Sequence, residues 1–186
     1  MASDFPGVYK AQVLKAIETV DLEKVAEAIR IFTEARAEGR QIFTCGNGGS
    51  GATASHFAME MGKGASYNRP ARFRIMALTD SAPTIMAYSN DVGYDCVFVE
   101  QLKNFARPGD VVVGFSGSGN SPNVVRALEY GNSIGCQTIA FTGRDGGRMG
   151  PLARLHVHVS HPHMGQTEDV HTMLMHMICY YFMDER

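Results

Sequence analysis

The chain predicts an α/β fold: a three-layer, doubly wound, five-stranded parallel sheet preceded by two extra helices. Three observations point there. From residue 41 onward, short apolar runs alternate with segments long enough for helices. Two of those runs end in glycine-rich turns that lead straight into helices, as at the carboxyl edge of a parallel sheet. Residues 8–38 carry two amphipathic helix patterns with no strand between them.

The elements follow in order. Tyr9, Val13, Ile17 and Val20 form one apolar stripe at helical spacing. Leu22, Val25, Ile29 and Phe32 form the next, with Asp21 as N-cap and Gly39 as the stop. These two helices can simply cover the sheet, or can offer a surface for self-association. Strands are expected at 41–45, 72–78, 111–115, 137–141 and 155–159. Helices are expected after Ser50, at 82–88, 95–105 and 121–133, and from Glu168 to the end. No repeat or linker interrupts the 186 residues, so 1–186 reads as one domain.

Composition narrows the class. The formal charge is −2 with both signs mixed along the chain, which speaks against a nucleic-acid partner and its basic stripe. No apolar run reaches membrane-spanning length, and the N-terminus lacks a basic-then-apolar signal pattern. Cys45, Cys96, Cys136 and Cys179 are widely spaced with no Cys-x-x-Cys pair; they read as buried thiols of a cytoplasmic protein.

The first turn, Gly46-Asn47-Gly48-Gly49-Ser50, follows an apolar strand and opens a helix. Glycine lets a ligand approach the backbone, and the helix start presents unpaired N–H groups to an anion. Ser50 is the expected N-cap. On that helix His56 and Glu60 are four apart and share a face. The second turn, Ser116-Gly117-Ser118-Gly119-Asn120-Ser121, precedes Pro122, which suits a first helical position. Its hydroxyls and N–H groups could hold a phosphate without lysine; it is neither a P-loop nor a dinucleotide fingerprint. Between the two lies Ser89-Asn90-Asp91-Val92-Gly93-Tyr94-Asp95, read as a loop with Asp95 as the next N-cap. There Asn90 and Asp91 either cap the loop or hydrogen-bond the hydroxyls of a polyol. The turn at 142–149 reads as structural, with Arg144 and Arg148 as possible neighbours of a site.

Six histidines follow: His156, His158, His161, His163, His171 and His176. Most fit a strand face or a loop. Glu168 and His176 differ, being eight apart on an apolar helix and so roughly 80° apart around it. With His56 and Glu60 they would supply two imidazoles and two carboxylates, a set suited to zinc or another divalent transition metal.

Taken together, these motifs resemble the sugar-isomerase (SIS) domain family, and within it the phosphoheptose isomerases. The resemblance rests on 46–50 with His56 and Glu60, Ser89-Asn90-Asp91 with Gly93-Tyr94, Gly109-Asp110, 116–121, Thr142-Gly143 with Asp145-Gly146-Gly147, and His171 with His176. It implies a flavodoxin-like SIS fold, a homotetramer with bundled N-terminal helices, and isomerisation of sedoheptulose 7-phosphate to D-glycero-D-manno-heptose 7-phosphate. It implies substrate contacts at Asn47, Gly48, Gly49, Ser50, Glu60, Asn90, Asp91, Ser116, Gly117, Ser118, Ser121 and Glu168. It implies zinc on His56, Glu60, Glu168 and His176, with Glu60 and His176 as the acid–base pair. Two residues depart from the family pattern: Glu168 stands for a glutamine, and Gly117 for a frequent threonine. The rival reading is a non-catalytic phosphosugar-binding SIS module that associates with a protein such as a replication initiator. A pure binding module has no need of His56, Glu60 and His176.

Overall fold

The computed structural model describes residues 4–184. Two helices lead, α1 (Phe5–Glu18) and α2 (Leu22–Ala37), followed by β1 (Gln41–Cys45) and α3 (Gly48–Met59). A π turn (Glu60–Gly64) continues α3, and β2 (Arg74–Ala77), α4 (Ala82–Asp91), a 3-10 turn (Tyr94–Cys96) and α5 (Val99–Phe105) come next. The rest is β3 (Val111–Ser116), α6 (Pro122–Ser133), β4 (Gln137–Thr142), α7 (Met149–Leu152), β5 (Leu155–His158) and α8 (Met164–Asp184).

The sheet has five parallel strands in the order β2-β1-β3-β4-β5. The chain therefore reverses its winding between β1 and β3. Crevices at such switch points, beyond the carboxyl ends of the strands, are where α/β sheets bind ligands. Every residue of β3 is buried, as a central parallel strand covered on both faces requires.

Two cores flank the sheet. One joins α1, α2, α3 and α8 to it through a run of rings, Phe32–Phe57–Phe115–Phe141, at centroid separations of 5.4, 6.3 and 4.7 Å. The other packs α5, α6 and α7 against the opposite face around Phe43, Phe98 and Leu128. Helix α2 thus covers the sheet at β5, while α1 packs on α8. Asp21 caps α2 by accepting from the Glu23 N–H at 2.9 Å, and Gly39 ends it at φ +65°. Leu22 departs from its expected stripe and is 62% exposed. All four cysteines are buried and free.

Several boundaries move. The strand expected at 72–78 is Arg74–Ala77, and β5 ends before Val159. Helix α4 runs on to Asp91, so Ser89, Asn90 and Asp91 form its last turn rather than a loop. Asp95 is not a helix cap; it sits in the 3-10 turn and ion-pairs with Arg126 at 2.6 Å. The cap of α3 is Asn47, with Ser50 buried in its first turn. Helix α8 begins at Met164, four residues before the expected start, which puts Glu168 a full turn inside it.

Candidate active site

The two glycine-rich turns meet at the switch point. Asn47, Gly48, Gly49 and Ser50 from the first, and Ser116, Gly117, Ser118 and Ser121 from the second, line one hollow of about 290 Å³ with Met164 and Glu168. The helices α3 and α6 both start there, so the positive ends of two helix dipoles face the same space. Gly48 adopts φ +53°, which is why a residue without a β-carbon starts α3. The serine hydroxyls satisfy one another: Ser116 lies 3.0 Å from Ser121 and 3.3 Å from Ser118. A ligand with several acceptors can replace those contacts with stronger charge-assisted ones.

The serine turn is propped from behind by residues 142–149. The Met149 N–H donates to the Gly119 carbonyl at 2.9 Å, and the Arg148 N–H donates to Asn120 Oδ1 at 3.0 Å. Gly119 is bare because a β-carbon there would strike the Gly146 carbonyl. At Gly117 the Met164 sulfur occupies the place of a β-carbon, so a threonine there would need the end of that flexible, 40% exposed side chain to move aside.

Helices α3 and α8 run side by side away from this hollow. Their contacts form successive rungs: Glu168 against Gly49, then Thr172 and Thr53 with hydroxyls 3.4 Å apart, then His176 against His56. Over the seven or so residues between the first and last rungs, a helix advances about 10–12 Å. The last rung holds the group expected to carry chemistry. His56 Nε2 lies 3.4 Å from Glu60 Oε1, and the His56 and His176 rings meet edge to face at 5.0 Å. Ligand atoms of His56, Glu60 and His176 all lie within 4.8 Å of one another. Two imidazoles and a carboxylate are a donor set that zinc takes readily, and tetrahedral ligands around it stand roughly 3.5 Å apart, close to the His56–Glu60 spacing. Glu60 opens the π turn, a distortion that recurs at functional sites.

The expected residues do not all gather in one place. Glu168 lies on the hollow, outside that three-residue group. Asn90 and Asp91 are exposed, hydrogen-bonded to each other at 2.7 Å, and not among the residues lining the hollow. The nearby link is Tyr94, whose hydroxyl donates to Asn47 Oδ1 at 2.9 Å. Cys45, directly before the first turn, is no nucleophile, because burial pushes its thiol up to about 12. Beyond the expected set, the structure adds Tyr94, Asn123 and Met164. Their signals were faint: a tyrosine after Gly93, an asparagine two residues past Ser121, and a methionine four before Glu168.

The sequence profile described as "SIS domain" matches residues 9–143. The phosphoheptose isomerase of Aliarcobacter butzleri is 38% identical over 171 residues, spanning 92% of this chain and 89% of its own length. That of Akkermansia muciniphila is 40% identical over 159 residues, spanning 86% and 82%. Among solved structures, the phosphoheptose isomerase of Neisseria gonorrhoeae superposes with a TM-score of 0.90 at 31% identity, covering 98% of both chains. A phosphoheptose isomerase from Francisella tularensis shares the fold, with a TM-score of 0.92 at 23% identity. With its sheet order, its paired turns at the switch point and these relatives, the chain belongs to the SIS domain family, in its phosphoheptose isomerase branch.

Proposed function

We propose that the protein is an aldose–ketose isomerase that converts sedoheptulose 7-phosphate into D-glycero-D-manno-heptose 7-phosphate. The observation that carries this is the convergence of Glu60, His56 and His176, two helix turns from the hollow between the two glycine-rich turns, in a chain 38% identical to a phosphoheptose isomerase. A module that only binds has no use for that convergence.

The chemistry follows from the residues. Ser116, Ser118 and Ser121, with the N–H groups at the start of α3, hold the phosphate and so fix the far end of the open-chain sugar. Asn90 and Asp91, on the last turn of α4, would take sugar hydroxyls. Glu60 removes the proton from C1 of the ketose and returns it to C2 of the enediol. His176 moves the accompanying proton between the two oxygens. His56, Glu60 and His176 would hold zinc, with Glu168 joining as a fourth ligand only if its carboxylate left its place against Gly49; bound zinc would supply Lewis-acid polarisation of the sugar oxygens.

The same reading includes a homotetramer. An apolar groove of about 480 Å³ between α1 and α8 is lined by Tyr9, Val13, Leu14, Met173 and His176, and Val8, Leu14, Met173 and Met177 are all more than two-fifths exposed. A closed symmetric assembly would cover that surface. Light scattering should give four chains; a monomer at micromolar concentration would refute it. Four buried thiols suit a reducing, cytoplasmic setting. No helix among the described residues is long and apolar enough to cross a membrane.

The deciding experiment is incubation with sedoheptulose 7-phosphate, with and without added Zn²⁺, followed by detection of the aldose. Tight binding of the ketose with no aldose formed in either condition would favour a binding module.

A further inference from the structure

Asn123 lies in the first turn of α6, beneath the serine turn, and is 1% exposed. Its amide pairs head to tail with that of Asn47. Asn47 Nδ2 donates to Asn123 Oδ1 at 2.9 Å, and Asn123 Nδ2 donates to Asn47 Oδ1 at 2.8 Å. The orientation of the pair is fixed from the α6 side. The Val124 N–H can only donate, and it faces Asn123 Oδ1 at 3.0 Å. The Tyr94 hydroxyl donates to Asn47 Oδ1 at 2.9 Å.

The hydrogen-bonding capacity of Asn47 is then nearly exhausted. An amide oxygen accepts two bonds and an amide nitrogen donates two. Asn47 Oδ1 has both donors, and one Nδ2 hydrogen is held by Asn123. One N–H remains, on a half-buried side chain that lines the hollow. If the Asn47 amide turned over, it would present an oxygen to an anionic ligand instead.

We propose that Asn123 is a positioning residue for sugar-phosphate binding. It holds the Asn47 amide with its remaining N–H toward the phosphate, and it ties the turn after β1 to the turn after β3 across the switch point. This rests on the phosphosugar reading of the hollow. Asn123 touches no substrate itself, and its effect passes through Asn47.

The test is a double-mutant cycle in the intact protein with Asn123→Ala, Asn47→Ala and the pair together. Two quantities are read: the Kd for inorganic phosphate, by calorimetry, and KM and kcat with sedoheptulose 7-phosphate. Each single substitution should weaken phosphate binding and raise KM about tenfold, with kcat changed much less. The double variant should be no worse than Asn47→Ala alone, because both act on one contact. Asn123→Leu roughly keeps the volume and adds no charge but loses both bonds to Asn47, and should also weaken phosphate binding while the protein stays folded. That variant decides the matter should Asn123→Ala not fold. Additive losses in the cycle, or a lowered Tm with phosphate affinity unchanged, would overturn the proposal. Phosphate titration does not depend on turnover. A protein whose phosphate binding needs Asn123 but which leaves the ketose unconverted would overturn the isomerase reading alone. An active isomerase whose phosphate affinity ignores Asn123 would overturn the positioning role alone.

Discussion

The Glu168 carboxylate lies on the bare α-carbon of Gly49, so close that a β-carbon there would come within 2.7 Å of Oε1. A carboxylate therefore stands at the rim of a hollow whose other polar groups are N–H donors and hydroxyls. It opposes a phosphate dianion by simple Coulomb repulsion. Glu168→Gln keeps the shape and removes the charge, so the Kd for inorganic phosphate should fall, by about three- to tenfold for a partly screened charge. If Glu168 also serves zinc, the same variant should bind the metal more weakly. Calorimetry with phosphate and with Zn²⁺ reads the two effects separately. Unchanged phosphate affinity would mean that the carboxylate turns away when the anion enters.

The serine turn should govern binding more than turnover. Ser116, Ser118 and Ser121 contact one another in the free hollow and would exchange those contacts for a charged acceptor. Replacing any one with alanine should raise KM and the phosphate Kd about tenfold or more, since a hydrogen bond to a charged group is worth roughly 1.5–3 kcal/mol. Titration of the three variants with an unreactive sugar phosphate checks this. No change in any of them would place the phosphate elsewhere.

The strand–turn–helix units were legible because their signals are local. An apolar run, then glycines and a hydroxyl, then a helix start makes 46–50 and 116–121 stand out without any knowledge of the fold. Local signals fail where a distant contact decides. Ser50 has the chemistry of a cap, but the turn closes one residue after Gly46 and Asn47 takes that place. Asn123 and Tyr94 act through Asn47, 76 and 47 residues away in sequence, and no period or spacing encodes such a pairing. The early start of α8 was hidden by the loop reading of His161 and His163 around Pro162; in the structure His163 accepts from the Gln166 N–H at 3.3 Å and steadies the helix start. His56 and Glu60 were visible as an i, i+4 pair. His176 was grouped with them from the sequence, and the packing of α3 on α8 is what brings it to them.

His171 should impose a pH dependence on stability. It is fully buried against the Phe115 and Phe141 rings and near the Thr142 main chain, yet neither ring nitrogen makes a full hydrogen bond. Burial lowers its pKa from 6.5 to about 4. Between those values the unfolded chain takes up a proton that the folded one refuses. The stability is therefore fully present above pH 6.5 and is lost as pH falls toward 4, by about 3 kcal/mol in all. His171→Leu removes the group, so its denaturation midpoint should fall less between pH 7.5 and 4.5 than that of the parent protein. Parallel pH profiles for the two would show that the ring is not held neutral.

Glu60 and His176 should matter to turnover more than to folding. Glu60 ends the helix that begins at the phosphate hollow, and His176 stands beside it on α8, both partly exposed rather than locked in the core. Gly64 is bare beneath them, where a β-carbon would crowd Met183 and come within 2.9 Å of Glu60 Oε2, so the backbone leaves the carboxylate room. Glu60→Gln keeps size and hydrogen bonding and loses the base, at an expected cost of roughly 10²–10⁴ in kcat. His176→Gln should lose a comparable amount and bind zinc more weakly. Neither should weaken binding of inorganic phosphate, because the serine turn is untouched and the hollow lies two rungs away along α3 and α8. If the three side chains only satisfy one another, the opposite pattern holds: Tm falls and activity falls only in step with it. Melting temperature, zinc content and single-turnover rate on the two variants separate these outcomes. Full activity in a folded Glu60→Gln protein would take the proton transfer away from Glu60.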